Sequence, residues 1–216
     1  MRAGTSLFCL FIALLGGYCL YQERIPEFQT HDFRFPWARK IAPKTDFRAW
    51  VSDGKLCFHF DAADSHLIIT DEWTGESTLD GEDRVEFFFA KSNDTTLKDY
   101  WCIEIDPLGR VHDYHAQHYR TFDSTWNCPG LTTTAHRSPT GYEVHGSLPL
   151  ASLSTLLAER ITHGSKIRLG LFRAEFYGQG KTATGEANDN WLSWVSPDSP
   201  QPDFHVPSAF RLLTLP

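Results

Sequence analysis

Two short stretches set the terms for the rest of the chain: GEDRVEFFFA at residues 81–90 and DYWCIEIDPLGRVHDYH at residues 99–115. In the first, Asp83, Val85, Phe87 and Phe89 alternate with Arg84, Glu86, Phe88 and Ala90. That period of two sends successive side chains to opposite faces of a strand. After Asp83 one set is apolar, whereas the other carries an arginine and a glutamate beside an aromatic ring. Trp101, Ile103 and Ile105 against Cys102, Glu104 and Asp106 repeat the arrangement. The pattern predicts two neighbouring strands with one face in a core and charged groups on the other.

Further short strands follow from the same reading. Phe47–Ser52 and Leu56–Asp61 flank Asp53-Gly54, a two-residue hairpin signal because both turn positions need positive φ. Leu67–Thr70 reads as another strand, and the acidic loop 71–82 then places Trp73 ahead of the central strand. Leu131–His136, Tyr142–Leu148, the alternating Ile167, Leu169 and Leu171, Trp191–Trp194 and Ala209–Leu215 complete the set. Helical spacing occurs once, at Leu150, Leu153, Leu156 and Leu157, between Pro149 and Gly164. Many short strands with frequent turn residues predict an all-β fold, a β-sandwich of immunoglobulin-like size with one short helix.

With 216 residues, 41% hydrophobic and 14% aromatic, the chain can bury one sizeable core. A formal charge of -7 and a pI near 5.8 argue against nucleic acid, whose phosphates demand clustered Lys and Arg. Arg2 before the apolar run Leu7–Leu15, with Gly16, Gly17 and Cys19 after it, has the composition of a signal peptide or an N-terminal anchor. Contact with a membrane is expected through that segment alone. We therefore divide the chain into a leader at 1–21, an extended lead-in at 22–45 and a sandwich at 46–216, in a protein that is secreted, periplasmic or at the cell surface. Three cysteines follow the leader; Cys57 and Cys102 either face each other or stay buried thiols, and Cys128 sits in a Trp-Asn-Cys-Pro-Gly loop.

The run D-x-V-E-F-F followed by Y-x-x-x-E-I-D-x-L-G-x-V-x-D resembles family 9 carbohydrate-binding modules and the wider family-9-like (DOMON-like) domains. Later segments agree in order: Trp126 with Gly130-Leu131, Gly141-Tyr142-Glu143-Val144 before Leu148-Pro149, Arg173-Ala174-Glu175-Phe176, Trp194 with Ser196-Pro197, and Phe204-His205-Val206-Pro207. The resemblance covers about residues 30 to 216 and implies a jelly-roll-like sandwich that binds a carbohydrate, such as a glycan chain end. It also implies an accessory to polysaccharide or glycoside breakdown rather than an enzyme.

A sugar ring offers an apolar C–H face and a rim of hydroxyls, so its site needs flat aromatics and planar polar groups. By resemblance Glu86 takes the place of the family's strand glutamate; read from the residues alone it is equally a surface carboxylate paired with Arg84, Arg173 or a lysine. Of the two aromatic clamp positions, one falls at or near Asp80 and the other at Phe204. Trp73 either swings in from its loop or packs over a sheet edge. Trp101, Trp191 and Trp194 read as core or rim packing, with Trp126 the exception that could reach a ligand. Arg173 suits a buried ion pair with Glu175 or Glu86, or a sugar contact.

Other chemistries find less support. His112, His115 and His118 recur every three residues, which does not fit one strand face and lacks a Cys partner for zinc. No cofactor is expected, although some members of the resembled family bind calcium, for which Asp71, Glu72, Glu76, Asp80 and Glu82 would be the loop carboxylates. Glu86 and Glu104 share strand parity, as two glutamates of any such sandwich do by chance, so a glycosidase pair is not inferred. Two alternatives remain: a haem-binding electron-transfer sandwich, confined to His or Lys ligands because Met1 is the sole methionine, and a structural or interaction sandwich without a ligand.

Overall fold

Hydrophobic alternation in the chain is resolved into two antiparallel sheets in the computed structural model, which describes residues 28–177 and 190–216. The leader segment, with Cys9 and Cys19, and most of the 177–190 loop lie outside the described residues. In chain order the strands are β1 (Phe28–Thr30), β2 (Thr45–Ser52), β3 (Lys55–Ala63), β4 (Arg84–Lys91), β5 (Tyr100–Ile105), β6 (Val111–Gln117), β7 (Thr121–Asp123), β8 (Thr132–Ser138), β9 (Gly141–Pro149), β10 (Lys166–Ala174), β11 (Trp191–Ser193) and β12 (Arg211–Thr214). Helix α1 spans Leu150–Leu156, and 3-10 turns occupy Glu76–Gly81 and Pro207–Ala209. One sheet runs β1-β2-β3-β9-β8; the other runs β11-β10-β4-β5-β6-β7, with β12 also paired to β10.

The Asp53-Gly54 pair turns β2 into β3 with φ of 50° and 72°, and Ser52 pairs with Lys55. Period-two burial then builds the interior. Leu56, Phe58, Phe60 and Ala62 of β3 face Val85, Phe87 and Phe89 of β4 and Ile167, Leu169 and Leu171 of β10. Phe58 and Phe87 stack between the sheets at 4.8 Å and 12°. Each such side chain, fully buried, contributes about 1.5–3 kcal/mol. Within the lead-in, β1 pairs with β2, and Phe33 and Phe35 are buried.

Three expectations are corrected. Leu67–Thr70 is not a strand: its amides are taken by side chains, Ile68 N donating to Asp83 Oδ2 (2.5 Å) and Thr70 N to Glu82 Oε1 (2.7 Å), which leaves no ladder. Cys57 and Cys102 cannot face each other, because each shares its strand face with residues opposite in parity to the core, on different sheets. The outer face of the β4 sheet is not an open polar surface either. Phe88, Cys102, Tyr114 and Phe172 lie there under Phe204, Ala209 and Phe210, forming a second apolar cluster. The C-terminal segment that covers this face is tied down by Trp37 Nε1, which donates to Ser199 O at 2.8 Å.

Candidate functional site

Strand register across the covered sheet sets one row of side chains side by side. Phe172 of β10 pairs with Glu86 of β4, Glu86 with Glu104 of β5, and Glu104 with His112 of β6. Residues directly opposite on neighbouring strands share a face, so the row is continuous. One step along, Cys102 pairs with Tyr114. Above this floor lies a cavity of about 450 Å³, lined by Arg84, Glu86, Glu104, His112 and Tyr114 below and by Trp191, Phe204, His205, Arg120 and Phe122 around the sides. Asp80 stands at its edge.

Arg84 anchors the floor. Its Nη1 donates to Leu79 O at 2.8 Å, while Nε lies 2.5 Å from Glu104 Oε2 and 3.1 Å from Glu86 Oε1. The two Nε contacts are charge pairs rather than aligned hydrogen bonds, which leaves Nε and Glu86 Oε1 without a hydrogen-bond partner. Glu104 has further support, since Tyr114 OH donates to its Oε1 at 2.8 Å. Glu86 has less. Burial, followed by the neighbouring Glu104, outweighs Arg84 and pushes the Glu86 carboxyl up to about 8. At neutral pH the floor therefore presents the Arg84 guanidinium and, at Glu86, a carboxylic acid that can both donate and accept, beside the Glu104 carboxyl.

The rim is fastened by its own contacts. Asp203 accepts from Tyr119 OH (2.6 Å) and from Arg120 Nη1 (3.0 Å), joining the segment before β7 to the C-terminal cover. His205 Nδ1 meets Tyr100 OH at 3.0 Å, and burial, with Arg120 adding to it, pushes His205 down to about 4, so the ring is neutral. His112 pairs with Asp80 at 3.5 Å, an interaction that raises the proton affinity of the imidazole. Phe204 stacks on Phe172 at 4.0 Å and 11°, and Trp191 meets Phe204 edge-on at 5.9 Å.

Of the six residues singled out from sequence, Arg84, Glu86 and Phe204 come together here, and Asp80 lines the same cavity. Glu86 is not a surface carboxylate but buried, at 2%. Trp73, Trp126 and Arg173 are elsewhere. Trp73 is 45% exposed and packs over the Arg110 guanidinium at 5.2 Å, and Trp126 packs against the inter-sheet core. Arg173 has the parity of Leu169 and Leu171 and so points between the sheets, where Nη2 bonds Ala63 O (2.9 Å) and the Glu175 carboxylate. His115 faces away from His112 and pairs with Asp99 at 3.2 Å. Among the loop carboxylates, Glu82 is engaged by Thr70 N and Arg110, and Glu76 by Asp113 N. Sequence reading missed Glu104, Tyr114, His112 and Trp191 as cavity residues. Parity with Glu86 was the available signal for the first three; Trp191, Asp203 and His205 reach the cavity only through folding.

The chain is thus an all-β sandwich with a walled, polar-floored cavity on the outer face of one sheet. The sequence matches no protein-family model and no curated protein, but solved structures share the fold. A protein from Bacteroides uniformis assigned as carbohydrate-binding superposes with a TM-score of 0.59 at 14% identity, covering 81% of this chain and 79% of that one. A family 9 carbohydrate-binding module from Caldicellulosiruptor kristjanssonii in complex with glucose gives 0.54 at 13% identity, covering 91% and 93%. A family 9 module from the same organism in complex with cellotriose gives 0.56 at 14% identity, covering 85% and 80%. The chain has the fold of the family 9 carbohydrate-binding modules.

Proposed function

We propose that the cavity over β4, β5 and β6 binds a short neutral saccharide, such as the end of a glucan chain, and that the protein is a non-catalytic sugar-binding module. The observation that carries this reading is the Arg84–Glu86–Glu104 group set beneath aromatic walls. Buried planar donors and acceptors match hydroxyls in two directions, while Trp191 and Phe204 offer apolar edges to sugar C–H groups. The cavity volume of about 450 Å³ falls within the usual range for small ligands, roughly 300–1,000 Å³. Glucose and cellotriose, the ligands of the two family 9 modules sharing this fold, are neutral and rich in hydroxyls. In keeping with the leader-like composition of residues 1–21, the module acts outside the cytoplasm, as an accessory to polysaccharide or glycoside breakdown.

Isothermal titration with glucose, cellobiose and cellotriose tests the reading. Saturable heat that is lost in an Arg84→Met variant supports it. A protein that ignores every neutral saccharide on a glycan array, or that purifies with a Soret band, overturns it.

A further inference from the structure

The outer face of the β3 sheet carries a group remote in character from the cavity. Leu56, Phe58 and Phe60 point into the core, so His59 and Asp61 point outward. Register sets His59 between Arg48 of β2 and His145 of β9, and sets Asp61 opposite Glu143. The His59 and His145 rings stack at 4.2 Å and 21°. Glu143 Oε2 lies 3.5 Å from Nε2 of each ring. One ligand atom from each of His59, Glu143 and His145 falls within 4.8 Å of the other two, a grouping that no other His, Cys, Asp or Glu trio among the described residues achieves.

His59 is 4% exposed, and its Nε2 is sealed from solvent without a hydrogen-bond partner. Buried polar atoms are seldom left so. Here the nitrogen has the Glu143 carboxylate at 3.5 Å, beside the stacked His145 ring. We propose that His59, Glu143 and His145 form a binding site for one divalent transition-metal ion, zinc foremost, with its remaining position open to water. Ligand atoms held about 2.1 Å from a tetrahedral zinc ion stand about 3.4 Å apart, close to the two 3.5 Å spacings seen. Two imidazoles with one carboxylate suit zinc, copper or nickel, whereas calcium and magnesium take oxygen ligands. To close on the ion the two rings turn out of their stack so that both Nε2 lone pairs converge.

Arg48 opposes this closure. Its Nη2 lies 2.8 Å from His59 Nδ1, and since a guanidinium only donates, Nδ1 must accept and the ring proton sits on Nε2. Metal at Nε2 moves that proton to Nδ1, so Arg48 has to swing aside, and its positive charge disfavours the ion as well. The arginine thus holds the site in its metal-free tautomer and sets the affinity.

The test uses the full chain purified without a histidine tag, titrated with zinc chloride and, for its visible spectrum, with cobalt chloride. One equivalent binds, with the intensified absorption of low-coordinate cobalt. The side chains of His145 and Glu143 are 41% and 47% exposed, so His145→Ala and Glu143→Gln keep their fold by circular dichroism while weakening zinc at least about tenfold. Arg48→Gln tightens zinc several-fold, because its amide oxygen accepts from Nδ1–H. Zinc binding that is absent, or that neither His145→Ala nor Glu143→Gln reduces, overturns the proposal. Arg48→Gln that leaves affinity unchanged or lowers it overturns the role given to Arg48.

Discussion

Glu86 and Glu104 stand directly opposite each other on adjacent strands, and both reach the same nitrogen, Arg84 Nε, at 3.1 and 2.5 Å. One guanidinium cannot neutralise two buried carboxylates. Tyr114 donates to Glu104 and not to Glu86, whose carboxyl burial pushes up to about 8. The site's hydrogen-bonding character follows from that asymmetry.

Glu86→Ala should therefore reduce saccharide affinity by about two- to tenfold, the equivalent of one neutral hydrogen bond at roughly 0.5–1.5 kcal/mol. Glu86→Gln, which keeps a donor and an acceptor without charge, should retain most of it. Titration calorimetry on both variants decides the matter, and equal losses in the two would mean that Glu86 acts ionised.

The aromatic walls separate binding from folding. Phe204 is buried and stacked on Phe172, so Phe204→Ala should cost about 3–5 kcal/mol of stability as well as affinity. Trp191 is half-buried, and Trp191→Ala should cut saccharide affinity by roughly tenfold with a smaller loss of melting temperature. Trp73→Ala, outside the cavity, should leave affinity unchanged. Thermal melts paired with affinity electrophoresis would measure all three.

Stability should fall as the medium becomes alkaline. Burial pushes Glu86 and Asp83 up to about 8 and Glu175 to about 7, so each binds its proton more tightly folded than unfolded. The stabilisation they give is full below the ordinary carboxyl range and disappears as pH rises through those values. His59 and His205, pushed down to about 4 by burial, run the other way: they stabilise above 6.5 and lose that contribution as pH falls toward 4. Between about pH 6.5 and 8.5 the carboxyls alone among these five groups set the slope. Calorimetry should show the melting temperature dropping across that window, less steeply in Glu86→Gln.

Arg173→Met should destabilise the sandwich by about 3–5 kcal/mol in urea unfolding, because Glu175 and Asp64 would be left as buried carboxylates without their cation. The folded fraction should still bind saccharide, since Arg173 lies between the sheets and not beneath the cavity.

What the sequence determined by itself is local. Period-two alternation in 83–90 and 100–106 gives strands β4 and β5 and sorts Glu86 from Phe87, because adjacent side chains on a strand must point to opposite faces. Asp53-Gly54 gives the hairpin for the same kind of reason, a backbone requirement that only a few residues meet. Leu67–Thr70 shows the limit, as its amides go to carboxyl oxygens brought by Glu82 and Asp83 rather than to a neighbouring strand. Parity already sets Arg173 with Leu169 and Leu171 on the inward face and Arg84 with Glu86 on the other; tertiary structure alone decided that this second face is a cavity floor, because parity does not say which face another segment will cover. The C-terminal residues 203–205 and Trp191 settled that by closing over Glu86 and Glu104, turning a strand face that reads as solvated into a buried site where the Glu86 carboxyl is pushed up to about 8.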